Sequence, residues 1–137
     1  MDNPLSKLLN LYKSRNFVRA EKEYLNITKK VKPNHELLNL YGVILFELKK
    51  YDQAVTQLKK SIEINPDYYQ GYNSLGNIFF KKNDLNAALE AYQKAIDLKF
   101  DYYQIYDTNP KQIKSIKSKY NKKIISAITV ETKTDIE

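Results

Sequence analysis

The chain has 137 residues, with no Cys and one His, and its 23 basic and 16 acidic side chains give a formal net charge of +7. Without Cys there can be no disulfide scaffold, thiol nucleophile or Cys-ligated zinc site, and a His-based relay could use only His35. Three Gly leave no phosphate-binding glycine loop, and the GxSxG and HExxH motifs are absent. Composition thus argues against most common enzyme sites, and we expect no catalytic residue, no metal site and no cofactor.

The excess positive charge lies in one segment near the C-terminus. Residues 1–109 hold 16 basic and 13 acidic side chains, whereas residues 110–123 hold six Lys and no acid. No apolar run approaches the ~18–20 residues of a membrane span, and the N-terminus lacks the apolar stretch of a secretory signal. These features predict a cytoplasmic protein.

In chain order, the first part of the sequence divides into three copies of one unit, at about 1–34, 35–68 and 69–102. A shift of 34 residues places Gly42 on Gly76, and it places Ala54 on Ala20 and on Ala88. Because several matches share one register over three copies, they indicate a repeat architecture.

Each copy predicts two antiparallel helices joined by a short turn. In the second copy the apolar residues recur at helical spacing twice, in 38–46 and again in 54–62. Pro33 and Pro66 mark the ends of successive copies, because the residue before a Pro is disfavoured in a helix. Two helices cannot bury their apolar faces alone, so the pairs are expected to stack.

Small residues at fixed places identify the unit. Gly42 and Gly76 remove a side chain where the two helices of a copy cross, and the repeated Ala does the same on the second helix. This pattern resembles the tetratricopeptide repeat, in which a small residue, Ala and often Pro stand at set positions. The resemblance implies an all-α, right-handed superhelix of antiparallel helix pairs with three repeats. The first copy is weaker, because Leu8 stands in place of Gly.

A fourth copy begins and then fails. Residues 101–104 echo residues 67–70, but Asn109-Pro110 interrupts and no Gly or Ala follows in register. Residues 110–128 are instead amphipathic, with Ile on one side and Lys on the other. We expect a partial fourth repeat or C-terminal capping helix over 102–128, which closes a single domain of 1–128, and a frayed tail over 129–137.

The resemblance also implies a binding surface, since the first helices of such a stack line a concave groove. Among the positions carried over to this chain are Tyr12 and Glu47. Asn side chains there could donate to and accept from a peptide backbone, or they could simply be solvated. We expect a protein or extended peptide as the partner, bound by Asn39, Val43, Phe46, Asn73, Asn77, Phe80 and Lys81.

The clamp with which some members of this family hold the C-terminal carboxylate of chaperones looks absent. It would need Lys, Arg or Asn at positions that carry other residues here: Leu5, Leu9, Leu40, Gln70 and Ser74. We therefore do not expect a chaperone tail as the partner.

The Lys-rich segment allows a second interpretation, a basic surface for nucleic acid or a membrane. It would be formed by Lys111, Lys114, Lys117, Lys119, Lys122 and Lys123. We favour a capping helix with a solvated Lys face, because Lys rather than Arg dominates and the apolar face is needed for capping.

The predicted function is a protein- or peptide-binding scaffold or adaptor with no catalysis of its own. One alternative is the interaction module of a larger enzyme, such as a transferase with N-terminal repeats. The other is a binder of anionic surfaces through residues 110–123. The apolar first helix, with Leu5, Leu8, Leu9, Leu11 and Tyr12, predicts a monomer or a weak dimer formed through that end.

Overall fold

Short turns divide the first 106 residues into helices, as the spacing of the apolar residues predicts. The structure is a computed structural model, and it describes residues 3–106 and Ser118. Residues 3–106 contain no strand and six helices, namely α1 (Pro4–Lys13), α2 (Phe17–Thr28), α3 (His35–Glu47), α4 (Tyr51–Ile64), α5 (Tyr69–Lys81) and α6 (Leu85–Tyr106). No helix in this part of the chain has the length and apolar character needed to cross a membrane.

The helices form three pairs that stack in chain order. α3 is the central helix, and it contacts α1, α2, α4 and α5. Accordingly seven of its residues are buried, and Ile44 and Leu45 are fully enclosed. The first helices of the pairs, α1, α3 and α5, contact one another in succession. The predicted all-α stack of helix pairs is thus confirmed.

Small residues let the two helices of a pair approach closely. A Cβ atom on Gly42 would stand 2.7 Å from Cγ of Leu58, and a Cβ atom on Gly76 would stand 2.5 Å from ring atoms of Tyr92. The repeated Ala of the second helices are fully buried at Ala20, Ala54 and Ala88. The close crossings predicted for Gly and Ala are therefore present.

The first pair accommodates Leu8 where the later pairs have Gly, and the Leu8 side chain is fully buried. Tyr24 corresponds in the repeat to Leu58 and Tyr92, but its ring stacks on Tyr41 of the second pair. The ring centroids lie 3.7 Å apart and the planes meet at 15°. The expectation that Leu8 contributes to a dimer surface is wrong, because this side chain belongs to the core.

The turn inside each pair has the same backbone geometry. Arg15, Lys49 and Asn83 occupy equivalent positions and have positive φ angles of 59°, 63° and 65°. The N–H of the following residue then donates to a carbonyl five residues back, in the pairs Asn16 to Leu11, Lys50 to Leu45 and Asp84 to Phe79. This arrangement closes the C-terminus of each first helix. No glycine marks these turns in the sequence, since the three positions carry Arg, Lys and Asn.

The third pair differs from the first two because α6 does not end near residue 98. It has 22 residues and continues to Tyr106. Lys99-Phe100 stands where the second copy has Asn65-Pro66, and Asp101 stands where the first copy has Pro33, so no Pro interrupts the helix. The helix therefore runs through the expected boundary at 102. Ser118 is helical and exposed, and the other residues of the predicted capping helix beyond 106, with the tail, lie outside the described residues.

Candidate functional site

The first helices of the three pairs meet at a small recess on the predicted groove. We call it the groove recess, and its volume is about 100 Å³. α1, α3 and α5 all contribute to its lining, which consists of Tyr12, Val43, Phe46, Glu47, Ser74, Asn77 and Ile78. Three of the seven predicted groove residues, Val43, Phe46 and Asn77, are thus brought together on the face that the resemblance to the repeat implies.

The other four predicted residues lie on α3 and α5 but do not line the groove recess. Asn73 and Lys81 are exposed, and Phe80 is half-buried. Asn39 is half-buried, and its Oδ1 atom is enclosed with no hydrogen-bond partner among the described residues. An enclosed acceptor of this kind costs about 1–3 kcal/mol. The environments of Asn39, Asn73 and Asn77 therefore differ, and their role in binding stays a prediction.

Asn77 is oriented by Tyr92, a half-buried residue of α6. The hydroxyl of Tyr92, on α6, donates to Oδ1 of Asn77 over 2.6 Å. This bond uses one of the two lone pairs of the amide oxygen and holds the side chain in place, so the Nδ2 donors of Asn77 remain available to a ligand. The sequence analysis did not identify this hydroxyl as part of the site, although Tyr rather than Phe at that position was the signal.

Among the described residues, Glu47 is the one charged side chain that lines the groove recess. It is half-buried, and no described residue forms an ion pair with it. It acts on Tyr12 across the recess: burial and then the Glu47 carboxylate raise the pKa of Tyr12, against an opposing effect of Arg15. The Tyr12 hydroxyl is therefore neutral at physiological pH. The recess combines an apolar floor, a neutral phenol, an amide donor and one carboxylate.

Two larger furrows, which the sequence did not predict, lie on the opposite side of the stack. One furrow, of about 450 Å³, lies between α2 and α4 and has α3 beneath it. The other, of about 740 Å³, lies between α4 and α6 and has α5 beneath it. Gln57 and Gln93 line them, and both are half-buried. The amide of Gln93 also donates to Asp97 over 2.9 Å.

The six Lys of the predicted basic surface, 111, 114, 117, 119, 122 and 123, lie outside the described residues. Within the described part, the exposed cations closest to the groove recess in sequence are Lys13, next to Tyr12, and Lys49, two residues after Glu47. The described surface therefore has no bearing on the basic-surface interpretation.

Comparisons with known proteins agree with the repeat. A TPR repeat model matches residues 42–82, and a tetratricopeptide repeat model matches residues 69–102. No curated protein is similar enough in sequence to count as a match.

Several solved structures share the fold at low sequence identity. The translocator chaperone SycD of type III secretion in Yersinia enterocolitica is 16% identical, with a TM-score of 0.72, and the match covers 94% of this chain and 91% of SycD. PcrH, known from Pseudomonas aeruginosa, in complex with the chaperone binding region of PopD is 13% identical, with a TM-score of 0.71 and coverages of 94% and 90%. The second TPR of Spaghetti (RPAP3), bound to an HSP90 peptide, is 17% identical, with a TM-score of 0.64 and coverages of 69% and 83%.

At these identities the structural matches bear on the fold alone. The two sequence matches together span residues 42–102, which contain most of the second repeat and the third. They coincide with the helix pairs whose crossings depend on Gly42 and Gly76. Residues 42–102 of the chain therefore belong to the tetratricopeptide repeat family.

Proposed function

We propose that the chain is an adaptor without catalytic activity that binds an extended segment of a partner protein along α1, α3 and α5. The observation that carries the proposal is the groove recess, where side chains of all three first helices converge on one small cavity. PcrH bound to a region of PopD and Spaghetti bound to an HSP90 peptide are folds of this kind with a peptide partner.

The chemistry of the surface suits a peptide backbone. Asn77 presents its amide donors, and Asn73 lies exposed one turn earlier on the same helix. Phe46 and Phe80 are half-buried and keep apolar surface available beside them. The amide donors can hold the carbonyl groups of an extended peptide. The apolar patches between them can contact every second side chain of that peptide.

The expected partner segment is internal rather than a C-terminal carboxylate. The positions that would form a carboxylate clamp carry apolar or neutral residues, and Leu40 among them is buried in the core. The charge nearest the cavity is the carboxylate of Glu47, which repels a terminal carboxylate.

The test is a selection of binding peptides. A displayed library of random ten-residue peptides is selected against the immobilised chain, and affinities of the enriched peptides are measured by fluorescence anisotropy. Each lost hydrogen bond is worth about 0.5–1.5 kcal/mol, so Asn73→Ala with Asn77→Ala should weaken binding by about tenfold or more.

The matched control makes the same chemical change on second helices. Asn26→Ala with Asn86→Ala replaces two exposed Asn, one on α2 and one on α6. The control should leave the affinity unchanged. If the peptides have equal affinities for the two double variants, the binding surface lies outside the groove.

A further inference from the structure

Glu47 occupies an unusual position for a carboxylate, because it lines a cavity with an apolar floor and forms no ion pair with any described residue. The floor consists of Val43, Phe46 and Ile78. The four ion pairs of the described residues lie elsewhere, and three of them join lysines to other acids: Lys7 to Glu23, Lys50 to Glu21 and Lys82 to Asp52. Glu47 is in none of the four pairs, so its carboxylate is available to a ligand.

The dimensions of the groove recess limit what it can hold. A cavity of about 150 Å³ is large enough for a benzene molecule. The groove recess, at about 100 Å³, therefore takes the end of one side chain and not a helix or a nucleotide base pair. The bound side chain need not supply an acceptor for Ser74, because the Ser74 hydroxyl already donates to the carbonyl of Gln70 over 2.9 Å.

The charge then determines which side chain fits. An acidic side chain would meet Glu47 with like charge at short range. A purely apolar side chain would displace the water that hydrates the carboxylate and offer no hydrogen bond in exchange. Such desolvation of a charged group is costly. Arg and Lys satisfy both requirements, since each has an apolar stem and a cationic head that can donate to a carboxylate. The rings of Tyr12 and Phe46 in the lining favour a cation as well.

We propose that the partner segment carries an Arg or Lys side chain that inserts into the groove recess, with its stem on Val43, Phe46 and Ile78 and its head on Glu47. The Nδ2 donors of Asn77 then hold a backbone carbonyl of the same segment beside the recess. This inference rests on the proposed function and adds to it the chemical class of the anchor residue.

A charge reversal tests the proposal with the same random peptide library. Selection against the wild-type chain should enrich Arg or Lys at one fixed position, and selection against Glu47→Lys should enrich Asp or Glu there. Glu63→Lys is the matched control, because it makes the same change of charge at an exposed site on α4, on the opposite side of the stack. It should select the same peptides as the wild type.

Affinity measurements complete the test. Hydrogen bonds to charged groups contribute more than neutral ones, so replacing the anchor Arg or Lys of a selected peptide by norleucine should weaken binding by about ten- to hundredfold. Glu47→Gln keeps the shape of the side chain and one acceptor oxygen but removes the charge, so it should clearly reduce that difference. This variant preserves the test if Glu47→Lys does not fold. Circular dichroism on each variant reports folding.

The two proposals fail in different ways. Suppose that the affinity of the selected peptides depends on Asn73 and Asn77 but does not fall when the anchor is replaced by norleucine. This result would overturn the proposed Arg or Lys anchor and would leave the proposed groove binding unaffected. An unchanged preference in Glu47→Lys has the same meaning. Peptides that bind without regard to Asn73 and Asn77 would overturn the proposed function and the anchor with it.

Discussion

Tyr92 lies so close to Gly76 that a Cβ atom on residue 76 would stand 2.5 Å from two atoms of the ring. The same Tyr92 donates its hydroxyl to Asn77, the next residue of α5, over 2.6 Å. One side chain therefore sets the crossing of α5 and α6 through its ring and orients a groove residue through its hydroxyl. The core of the third repeat and the candidate binding surface are connected at this point.

Gly76→Ala should destabilise the fold through overpacking. The ring of Tyr92 cannot move aside as a flexible chain could, so we expect a loss of about 1–3 kcal/mol in the free energy of unfolding, measured by urea denaturation. Gly71→Ala is the control on the same helix, because its Cβ would meet Cγ1 of Ile62 at 3.1 Å and Ala is the better helix former. It should be near neutral or stabilising. Equal losses in the two variants would contradict the role of the Tyr92 contact.

Tyr92→Phe should separate the ring from the hydroxyl. The ring remains to pack against Gly76, so the fold should lose only about 0.5–1.5 kcal/mol, the value of one hydrogen bond. The amide of Asn77 would no longer be held, and binding of the selected peptides should weaken. Asn77→Ala serves as the comparison: if Tyr92 acts by orienting Asn77, the double variant should bind no worse than Asn77→Ala alone. Additive losses in the double variant would show that Tyr92 acts on binding by another route.

The repeat could be predicted from the sequence because its determinants are local. Gly42, Gly76 and the repeated Ala recur at a fixed interval, and each acts on the neighbouring helix of its own pair. The sequence also contained a local indication of the longer α6, because Phe100 stands where the second repeat has a helix-ending Pro. The echo of residues 67–70 at 101–104 favoured a new repeat instead.

The groove recess could not be predicted in the same way. Tyr12, Glu47 and Asn77 come from three different repeats, and their distances depend on the angles at which successive pairs stack. A pattern of residue types reports which face each helix presents but not how closely those faces meet. For the same reason the sequence named Asn39, Asn73 and Asn77 as equivalent groups, although the environments of the three side chains differ.

Lys49→Gly should stabilise the chain. Lys49 has a φ of 63°, which costs an ordinary residue roughly 1 kcal/mol and glycine very little. We expect a gain of about 0.5–1 kcal/mol in thermal or urea denaturation. Asn83→Gly, at the equivalent turn of the third pair with a φ of 65°, should gain less, because Asn tolerates this conformation better than Lys. A larger gain at Asn83 than at Lys49 would contradict this account of the turns.

Unfolding should become easier at alkaline pH because of Tyr24. Burial, followed by the neighbouring Tyr41, raises the pKa of Tyr24 from 10.0 to about 12, and its side chain is 4% exposed. In the unfolded chain the same phenol loses its proton near its ordinary pKa of 10.0. Between these two values the folded state holds more protons than the unfolded state, so the free energy of unfolding falls as the pH rises. The contribution is complete below pH 10.0 and is lost towards pH 12.

For one such group the decline is at most about 1.4 kcal/mol per pH unit. Burial also raises the pKa of Tyr41 and of Tyr68, and both add to the same trend. Tyr24→Phe cannot ionise, so urea denaturation of this variant from pH 8 to 11.5 should show a shallower decline than the wild type. The ring stack on Tyr41 survives the substitution, so the two proteins should differ little at pH 8. Parallel declines would mean that the alkaline transition depends on other groups and that Tyr24 ionises no later in the folded chain than in the unfolded one.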